Sequence, residues 1–376
     1  GEALADAAAR TRVAGAVRGV LDRALADSAF PGAIAVVGDA AGGMVTHAVG
    51  RIDWAADAPA PDRRTLWDLA SLTKVVGTTS AVMQLVGAGR IQLDAPVQRY
   101  LPDWTGANKE AVTIRHLLTH ASGLPAWRPL YKEAADPASA LALVLSTQLE
   151  AAPGARYVYS DMNFILLGEI ARRLTGQPLD AYLAARVFGP LRMTDARFRP
   201  PASELARIAP TEYDPWRQRK VRGEVHDENA FALGGVAGHA GLFGTAADLE
   251  RLARAYLNGG TLDGARVFDA ATLAQFTRVQ DTTVSRRALG WETPTGGNSA
   301  GHYLSRRAFG HTGFTGTSLW IDPERGVYVL LLTNRVNPTR QNPRIGGVRV
   351  ALADSALRAL GASPVFPTPA APAPRP

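Results

Sequence analysis

The sequence predicts a mixed fold of the α/β (α+β) class, in which an antiparallel sheet is built from both ends of the chain and a mostly helical region is inserted between them. Two β-hairpins are predicted, one near each end, at residues 33–49 and 318–333. Apolar residues between them recur with the 3.6-residue period of helices. A sheet with helices on its faces buries its apolar surface, so we expect one layered core with the functional site in the cleft between the two parts.

The elements near the two ends are predicted first. An amphipathic helix is expected at 13–26, followed by two apolar runs, 33–37 and 44–49, which are separated by a glycine-containing turn. Near the other end, runs 318–321 and 327–333 flank a turn that contains Pro323 and Gly326. Apolar runs bounded by such turns are typical of hairpins. A closing helix is expected at 348–360.

The inserted region is predicted to be helical at 75–86, 114–119, 138–148, 163–174 and 249–257. The last of these helices has the clearest ends. Thr245 and Asp248 have the spacing of a capping box, and Gly259 follows the apolar stripe as a stop signal.

These elements predict a single catalytic domain over residues 1–362, with a sheet part at about 1–65 and 265–362 and a helical part at about 66–264. Residues 363–376 are rich in proline and alanine, and we expect them to form a disordered tail.

Composition excludes several classes of function. The 376 residues are 46% apolar, enough for a large core, and no uncharged apolar stretch approaches the length of a membrane span. The chain has no cysteine, which excludes disulfides, thiolate metal sites and a cysteine nucleophile. Its net charge is +7, but the arginines are scattered and no run of five basic residues occurs, so we expect no nucleic-acid partner.

One lysine stands out in a chain that strongly prefers arginine. There are four lysines and 37 arginines, and Lys74 comes three residues after Ser71. Arginine stays protonated, whereas a buried lysine can lose its proton and act as a base. A spacing of three places both side chains on one helix face, and a helix N-terminus together with burial predicts a lowered Lys74 pKa. An ordinary helix-start serine followed by a solvated lysine fits the same spacing.

Two further segments carry candidate chemistry. Tyr159 and Asp161 lie just before a predicted helix, and a tyrosine beside an ammonium group can shuttle protons. His311, Thr312 and Gly313 lie on a glycine-rich strand along which a substrate backbone can bind. Taken alone, the first also fits a core tyrosine, and the second fits a bulged strand with an incidental histidine.

Taken together, Ser-x-x-Lys, Tyr-x-Asp and His-Thr-Gly resemble, in this order, the motifs of the serine β-lactamase and penicillin-binding-protein superfamily. The stretches 67–74, 114–125 and 189–193 are similar to the branch that contains class C β-lactamases, carboxylesterases and DD-peptidases. A glycine-rich stretch at 234–243, preceded by 225–230, is similar to members described as DD-carboxypeptidases or esterases. The resemblance covers roughly residues 15–360.

The resemblance implies a catalytic set of Ser71, Lys74 and Tyr159, acting through an acyl-enzyme. It further implies an oxyanion site at the N–H groups of Ser71 and Phe314, and a substrate-binding strand at His311, Thr312 and Gly313. No metal and no cofactor are implied. A cleft-lining role is expected for His239, in the glycine-rich stretch, and for Asn229, in the segment that precedes it.

Two departures from the family pattern bear on the substrate. Asp161 stands where many relatives have asparagine, and an ionised carboxylate cannot donate a hydrogen bond and would hold Lys74 protonated. Tyr159 is then the alternative base. His311 replaces the usual lysine, so attraction for a substrate carboxylate is expected to depend on its protonation near pH 6 to 7. Strong β-lactamase activity is therefore not expected.

Other catalytic motifs fit less well. His116 and His120 are one turn apart, but Leu117 occupies the place where a zinc hydrolase carries its glutamate, so we expect structural roles for both histidines. The chain has no Gly-x-Ser-x-Gly elbow, and no Gly-Lys-Ser/Thr follows the glycine-rich stretch, which argues against an α/β-hydrolase and a phosphate loop.

The prediction is a serine hydrolase that acts on an ester or amide, with an esterase or DD-carboxypeptidase character. A penicillin-binding or cell-wall-binding protein with little turnover, and a true β-lactamase, remain as alternatives. The expected partner is a small-molecule or peptidoglycan-like substrate, with no membrane insertion, and oligomeric state is left open. A periplasmic or secreted location is expected, and a cytoplasmic one stays open because Gly1 fits either a removed leader or trimming.

Overall fold

The central element of the structure, a computed structural model that describes residues 3–368, is a five-stranded antiparallel sheet. Its strands are β1 (Gly32–Asp39), β2 (Met44–Gly50), β10 (Phe309–Gly313), β11 (Thr317–Asp322) and β12 (Val327–Thr333). They lie side by side in the order β10-β11-β12-β1-β2. The middle of the sheet joins the two ends of the chain, because β1 pairs with β12 from Ala33 opposite Thr333 to Asp39 opposite Val327.

Both faces of this sheet are covered, which explains why every residue of β1 is buried. Ala33, Ala35 and Val37 belong to a core shared with α1 (Ala7–Ala26) and α11 (Ile345–Ala359). Ile34 and Val36 face the larger core shared with the helical region. This alternation follows from the two-residue period of a strand. Both predicted hairpins and both flanking helices are therefore confirmed.

The helical region lies between the two hairpins in the chain. Its helices are α2 (Thr79–Gly87), α3 (Ile114–Leu118), α4 (Leu130–Glu133), α5 (Pro137–Ser146), α6 (Asp161–Thr175), α7 (Leu179–Leu183), α8 (Glu228–Ala232), α9 (Ala246–Leu257) and α10 (Ala270–Thr277). A π-helical turn, Lys74–Thr78, leads into α2. Thr245 caps α9 as predicted by accepting a hydrogen bond from the Asp248 N–H.

Short strands complete the architecture. They are β3 (Trp67–Asp68), β4 (Arg197–Phe198), β5 (Tyr213–Asp214), β6 (Arg219–Lys220), β7 (Leu242–Gly244), β8 (Thr261–Leu262) and β9 (Ala265–Arg266). The small sheet β3-β7-β4 is important for the site, because β3 ends three residues before Ser71 and is held by its pairing with β7.

The chain ends show two differences from the sequence prediction. Helix α1 starts at Ala7, earlier than expected, because the Asp6 carboxylate caps it by accepting from the N–H groups of Ala8 and Ala9. The start of the predicted disordered tail is ordered, since Val365 and Phe366 donate backbone hydrogen bonds to His302 and the Phe366 ring is buried. Residues 369–376 lie outside the described part of the chain. Within residues 3–368, no helix is long and apolar enough to cross a bilayer.

Candidate active site

Ser71 lies at the start of the helix that continues through the π-helical turn into α2. It is partly exposed, whereas the nine residues that follow it are all buried. The preceding Ala70 has a left-handed backbone, φ 48°, and its N–H is held at 2.8 Å by the carboxylate of Asp68. A strained residue fixed in this way is typical of functional sites. The predicted position of Ser71 at a helix start is confirmed.

Lys74 reaches the serine and is fully buried. Its Nζ donates to Ser71 Oγ at 3.0 Å and to the carbonyl of His239 at 3.1 Å, and it lies 2.8 Å from Asp161 Oδ1. Burial is the largest single effect and would lower the pKa of Lys74, but Asp161 and Tyr159 together outweigh it and the pKa is raised. The expectation of a lowered Lys74 pKa was wrong, because the combined effect of these two neighbours exceeds that of burial.

Tyr159 stands beside both groups. Lys74 Nζ lies 5.0 Å from the centre of the Tyr159 ring, and both Lys74 and Ser71 are close enough to the phenol to affect its pKa. Removal from water raises the pKa of Tyr159, and the ammonium of Lys74 opposes this only in part. Tyr159 therefore carries its proton in the resting site.

The opposite wall of the cleft is β10. His311 is 1% exposed, and its Nδ1 lies 2.7 Å from the carbonyl of Thr312, so Nδ1 carries the proton and donates it. Within residues 3–368, the second ring nitrogen, Nε2, has no hydrogen-bond partner. Burial, reinforced by the charges of Arg287 and Lys74, lowers the pKa of His311 well below its usual range. Protonation of His311 near pH 6 to 7 was therefore a wrong expectation, because the ring has cations and no carboxylate beside it.

The turn after β10 is fastened to the segment that precedes Ser71. Thr315 Oγ1 donates to the carbonyl of Asp68 at 2.7 Å, and Thr317 Oγ1 donates to that of Leu69 at 3.0 Å. Gly313 is required by this close approach, because a Cβ atom there would lie 2.5 Å from the Leu69 oxygen. The chain thus brings the end of β10 next to Ser71 with little freedom to move.

Phe314 follows on this turn with its side chain 49% exposed at the edge of the cleft. Its ring stacks on His226 at 5.8 Å, and its carbonyl accepts from Arg335 at 2.8 Å. In residues 3–368 neither the Phe314 N–H nor the Ser71 N–H donates to a protein acceptor. Two free amides beside one hydroxyl fit the geometry of an oxyanion site. Thr312, on β10 itself, is partly exposed opposite Ser318.

The two cleft-lining candidates differ in what they contact. His239 is buried behind Lys74, to which its carbonyl is bonded, and its Nε2 lies 2.8 Å from Asp227 Oδ1. Asn229 is also buried, but its amide is used by the backbone, with the Tyr131 N–H at 3.2 Å and the Arg128 carbonyl at 2.8 Å. Asn229 therefore holds the loop of Arg128 and Tyr131 in place, and its cleft-lining role stays a prediction.

Two charged residues at the site were not among the sequence candidates. Asp227 places a second carboxylate within 4.8 Å of Asp161 and His239, and its pKa is lowered because His239 and Lys74 outweigh the effect of burial. Arg287 is buried, with its guanidinium 5.9 Å from the Tyr159 ring. The position of Asp227 in the stretch 225–230 was a usable signal. Arg287 gave none, since it is one of 37 arginines.

The two histidines weighed as zinc ligands have structural positions. His116 completes the N-terminal cap of α3, accepting the Thr113 N–H at Nδ1. His120 is buried under Tyr159, at 4.5 Å between ring centres, and its Nδ1 accepts the Ser160 N–H at 3.1 Å. Both expectations are confirmed. The trio Asp161, Asp227 and His239 has the composition of a metal site, but the Lys74 ammonium already neutralises Asp161.

The β-lactamase family model matches residues 17–353. The chain belongs to the β-lactamase family. It is a serine hydrolase of that family, as its ordered motifs predicted.

Curated relatives agree with this membership. A putative D-alanyl-D-alanine carboxypeptidase of Escherichia coli K12 is 34% identical over 317 residues, which cover 74% of this chain and 71% of that protein. A protein of the same description from Salmonella agona is 34% identical over 318 residues, with coverage of 75% and 72%.

Solved structures show the fold. A penicillin-binding protein homologue from Caulobacter crescentus superposes with a TM-score of 0.75 at 24% identity, covering 92% of this chain and 97% of that one. EstCE1, a hydrolase with promiscuous acyltransferase activity, superposes with a TM-score of 0.73 at 22% identity, covering 92% and 99%. The predicted fold class is confirmed.

Proposed function

We propose that this enzyme hydrolyses carboxylic esters through an acyl-enzyme formed on Ser71. One observation carries the proposal: Ser71 Oγ lies 3.0 Å from a Lys74 ammonium that Asp161 holds in place, with the Tyr159 ring beside that ammonium. A hydroxyl set among groups that can move its proton is the arrangement of an activated nucleophile. Nothing in this chemistry needs a metal or an organic cofactor.

The charge states of the site favour Tyr159 as a proton shuttle. Lys74 is protonated and Tyr159 carries its proton, so neither is a preformed base. Ser71 attacks the ester carbonyl and passes its proton to the Tyr159 oxygen, while Tyr159 gives its own proton to the ester oxygen. The C–O bond of the tetrahedral intermediate then breaks and the alcohol leaves. The adjacent ammonium stabilises the partial negative charge on the phenol oxygen during this exchange. Water then attacks the acyl-enzyme by the reverse route.

The oxyanion that develops on the carbonyl is assigned to the N–H groups of Ser71 and Phe314. Support comes from their freedom from other acceptors and from the clamps that fix the turn after β10 on residues 68 and 69. Donors that are positioned before reaction stabilise the developing charge without reorganisation.

Two features favour esters over β-lactams and other amides. Asp161 is an acceptor in an ion pair with Lys74, so it cannot donate to a substrate amide carbonyl. His311 is neutral, so it does not attract the carboxylate that penicillins carry.

Hydrolysis of D-amino peptides is the second candidate. The curated relatives are described as putative D-alanyl-D-alanine carboxypeptidases, and Arg287 supplies a buried cation near Tyr159 and His311. A peptide carboxylate placed there would be bound by a bidentate guanidinium. A peptidoglycan-like substrate of this kind also supports a periplasmic or secreted location.

Ser71→Ala tests the proposal, with Ser146→Ala on an exposed helix face as the matched control. We expect turnover of short-chain aryl esters to fall at least about 10³-fold in the first variant and to stay unchanged in the second. Intact-mass measurement after rapid quenching should show a transient acyl adduct on the wild type alone. Full activity of Ser71→Ala would contradict the proposal. A long-lived penicillin adduct without ester turnover would favour the binding-protein alternative.

A further inference from the structure

Four aromatic side chains form a continuous row at the surface, which we call the aromatic wall: Trp127, Tyr131, Trp216 and Phe231. Successive ring centres lie 6.4, 4.9 and 5.9 Å apart. Trp127 is 53% exposed and Trp216 is 42% exposed, although both are large apolar residues. A contiguous exposed apolar patch of this kind usually marks a binding site.

The wall is attached to the catalytic residues by short connections. The loop that carries Trp127 is bonded at Pro125, whose carbonyl accepts from Ser160, the residue between Tyr159 and Asp161. The amide of Asn229 joins Tyr131 to α8, two residues after Asp227. The wall is therefore linked to the segments that carry Tyr159, Asp161 and Asp227.

The side of the wall at Trp216 is equally well held. Arg217, the residue after Trp216, donates to the carbonyls of Val225 and His226 at 2.6 and 2.8 Å. The Arg217 guanidinium also lies 4.8 Å from the Phe231 ring. Rings that are held in place before a ligand arrives lose little entropy on binding it.

The arginines around the wall are already paired with carboxylates. Arg217 pairs with Asp214, Arg219 with Glu224 at 2.7 Å, and Arg128 with Glu133 at 2.5 Å. The ammonium of Lys132 lies over the Tyr131 ring at 5.6 Å. A charged ligand group would have to compete with these contacts.

From this geometry we infer that the aromatic wall binds an uncharged apolar group of the substrate, and that the enzyme prefers esters with a long apolar chain over acetates. The inference rests on the proposed ester hydrolysis at Ser71. Contacts between a ligand chain and the exposed faces of Trp127 and Trp216 would remove apolar surface from water, and each buried methylene then strengthens binding.

The test compares p-nitrophenyl acetate, butyrate and octanoate as substrates of the wild type, Trp127→Ala and Trp216→Ala. We expect kcat/KM to rise with chain length in the wild type, and each variant to lose about tenfold on octanoate and less than about twofold on acetate. Trp216→Phe should recover most of the loss. A second series, with an acetyl group and alcohols of increasing length, distinguishes a wall that binds the alcohol from one that binds the acyl chain.

Trp54→Ala is the matched control, since Trp54 is 45% exposed but lies outside the row of rings. Equal losses on acetate and octanoate would overturn the inference, as would inhibition by soluble cell-wall saccharides without any dependence on chain length. Loss of folding in a variant is detected by its thermal midpoint, and Trp216→Phe then provides the comparison. If no ester is hydrolysed even by the wild type, the proposed function fails, and that outcome is separate from failure of the wall.

Discussion

The two walls of the cleft each carry a buried titratable side chain, and the two side chains end in opposite states. On the helical wall, Lys74 has no exposed surface and stays charged. On the strand wall, His311 is 1% exposed and stays neutral. Burial acts on both in the same direction, since it disfavours the protonated, charged form of each.

The difference comes from the neighbours. The Asp161 carboxylate, 2.8 Å from Lys74, stabilises the charged ammonium despite its removal from water. His311 instead has Arg287 and Lys74 nearby, and their positive charges further disfavour its protonated form. The sequence placed a carboxylate two residues from Tyr159 but gave no sign of the arginine near His311. In this cleft the charge partner, and not the depth of burial, decides the protonation state.

Lys74→Met is the strongest way to break this contrast, because it removes the cation and leaves Asp161 without its partner. We expect kcat/KM for aryl esters to fall by at least about 10³-fold. We also expect the free energy of unfolding to fall by about 1–3 kcal/mol, less than for a fully buried pair because Asp161 is 21% exposed. Steady-state kinetics and urea unfolding measure the two effects.

Lys220→Met is the control for this change. Lys220 pairs with Asp53 at 2.6 Å on the surface, where its side chain is 47% exposed. A surface pair contributes less than about 1 kcal/mol, so activity and stability should hardly change. If both lysine variants behaved alike, the special role of Lys74 would be refuted.

Asp161→Asn tests the contrast further, because it removes the carboxylate beside Lys74 and leaves its buried ammonium without that counter-ion. Without the carboxylate, the effect of burial on the ammonium is opposed much less, and the Lys74 pKa falls. We expect kcat/KM of the variant to decrease by about tenfold as the pH rises from about 6 to 9, because the ammonium that assists Tyr159 is lost. The wild type, with its raised Lys74 pKa, should not show this decrease.

The direction of this pH profile distinguishes the two candidate bases. Activity that increases with pH in Asp161→Asn would identify the free amine of Lys74 as the base and reject the Tyr159 shuttle. Asp180→Asn serves as the control, because Asp180 pairs with the exposed Arg199 at 3.3 Å, away from these groups.

His311→Gln gives the smallest expected effect. The folded-state pKa of His311 lies well below its unfolded value, so the unfolded chain binds a proton that the folded chain does not. Wild-type stability is therefore lost as the pH falls below about 6.5, and the variant should lose up to about 1.4 kcal/mol less per pH unit. His120 has a lowered pKa for the same reason and remains in both proteins.

The measurement is the free energy of unfolding at a series of pH values, with His47→Gln on β2 as the control. Because His311 is neutral, the wild-type affinity for carboxylate-bearing substrates should also stay constant from about pH 6 to 8. A decrease in that affinity over the same range, absent from His311→Gln, would restore the gating role that the sequence indicated.

The element order was predictable from the sequence because it depends on local patterns. The apolar runs of β1 and β12, the 3.6-residue period of α6 and α9, and the cap at Thr245 are all set by residues close together in the chain. The catalytic set was predictable for a different reason. Ser71, Tyr159 and His311 each lie within a short motif, and the order of the three motifs is more specific than any of them alone.

The ordered start of the tail and the aromatic wall were harder to predict from the sequence. Composition predicted that Phe366 is disordered. In the structure its N–H donates to the carbonyl of His302, which lies 64 residues earlier in the chain. The rings of the aromatic wall come from three separate stretches, 127–131, 216 and 231, whose meeting depends on the hydrogen bonds of Asn229 and Arg217. Such contacts have no local signature.

The sequence by itself determined the fold class, the order of the hairpins and helices, and the three motifs that carry Ser71, Lys74, Tyr159, Asp161 and His311. Only the tertiary structure decided the protonation states of Lys74 and His311 and the positions of Asp227 and Arg287 at the site. It also decided that the N–H groups of Ser71 and Phe314 have no protein acceptor within residues 3–368. The physical reason is that secondary structure follows from neighbours along the chain, whereas a pKa follows from water exclusion and from charges that folding brings within a few ångströms.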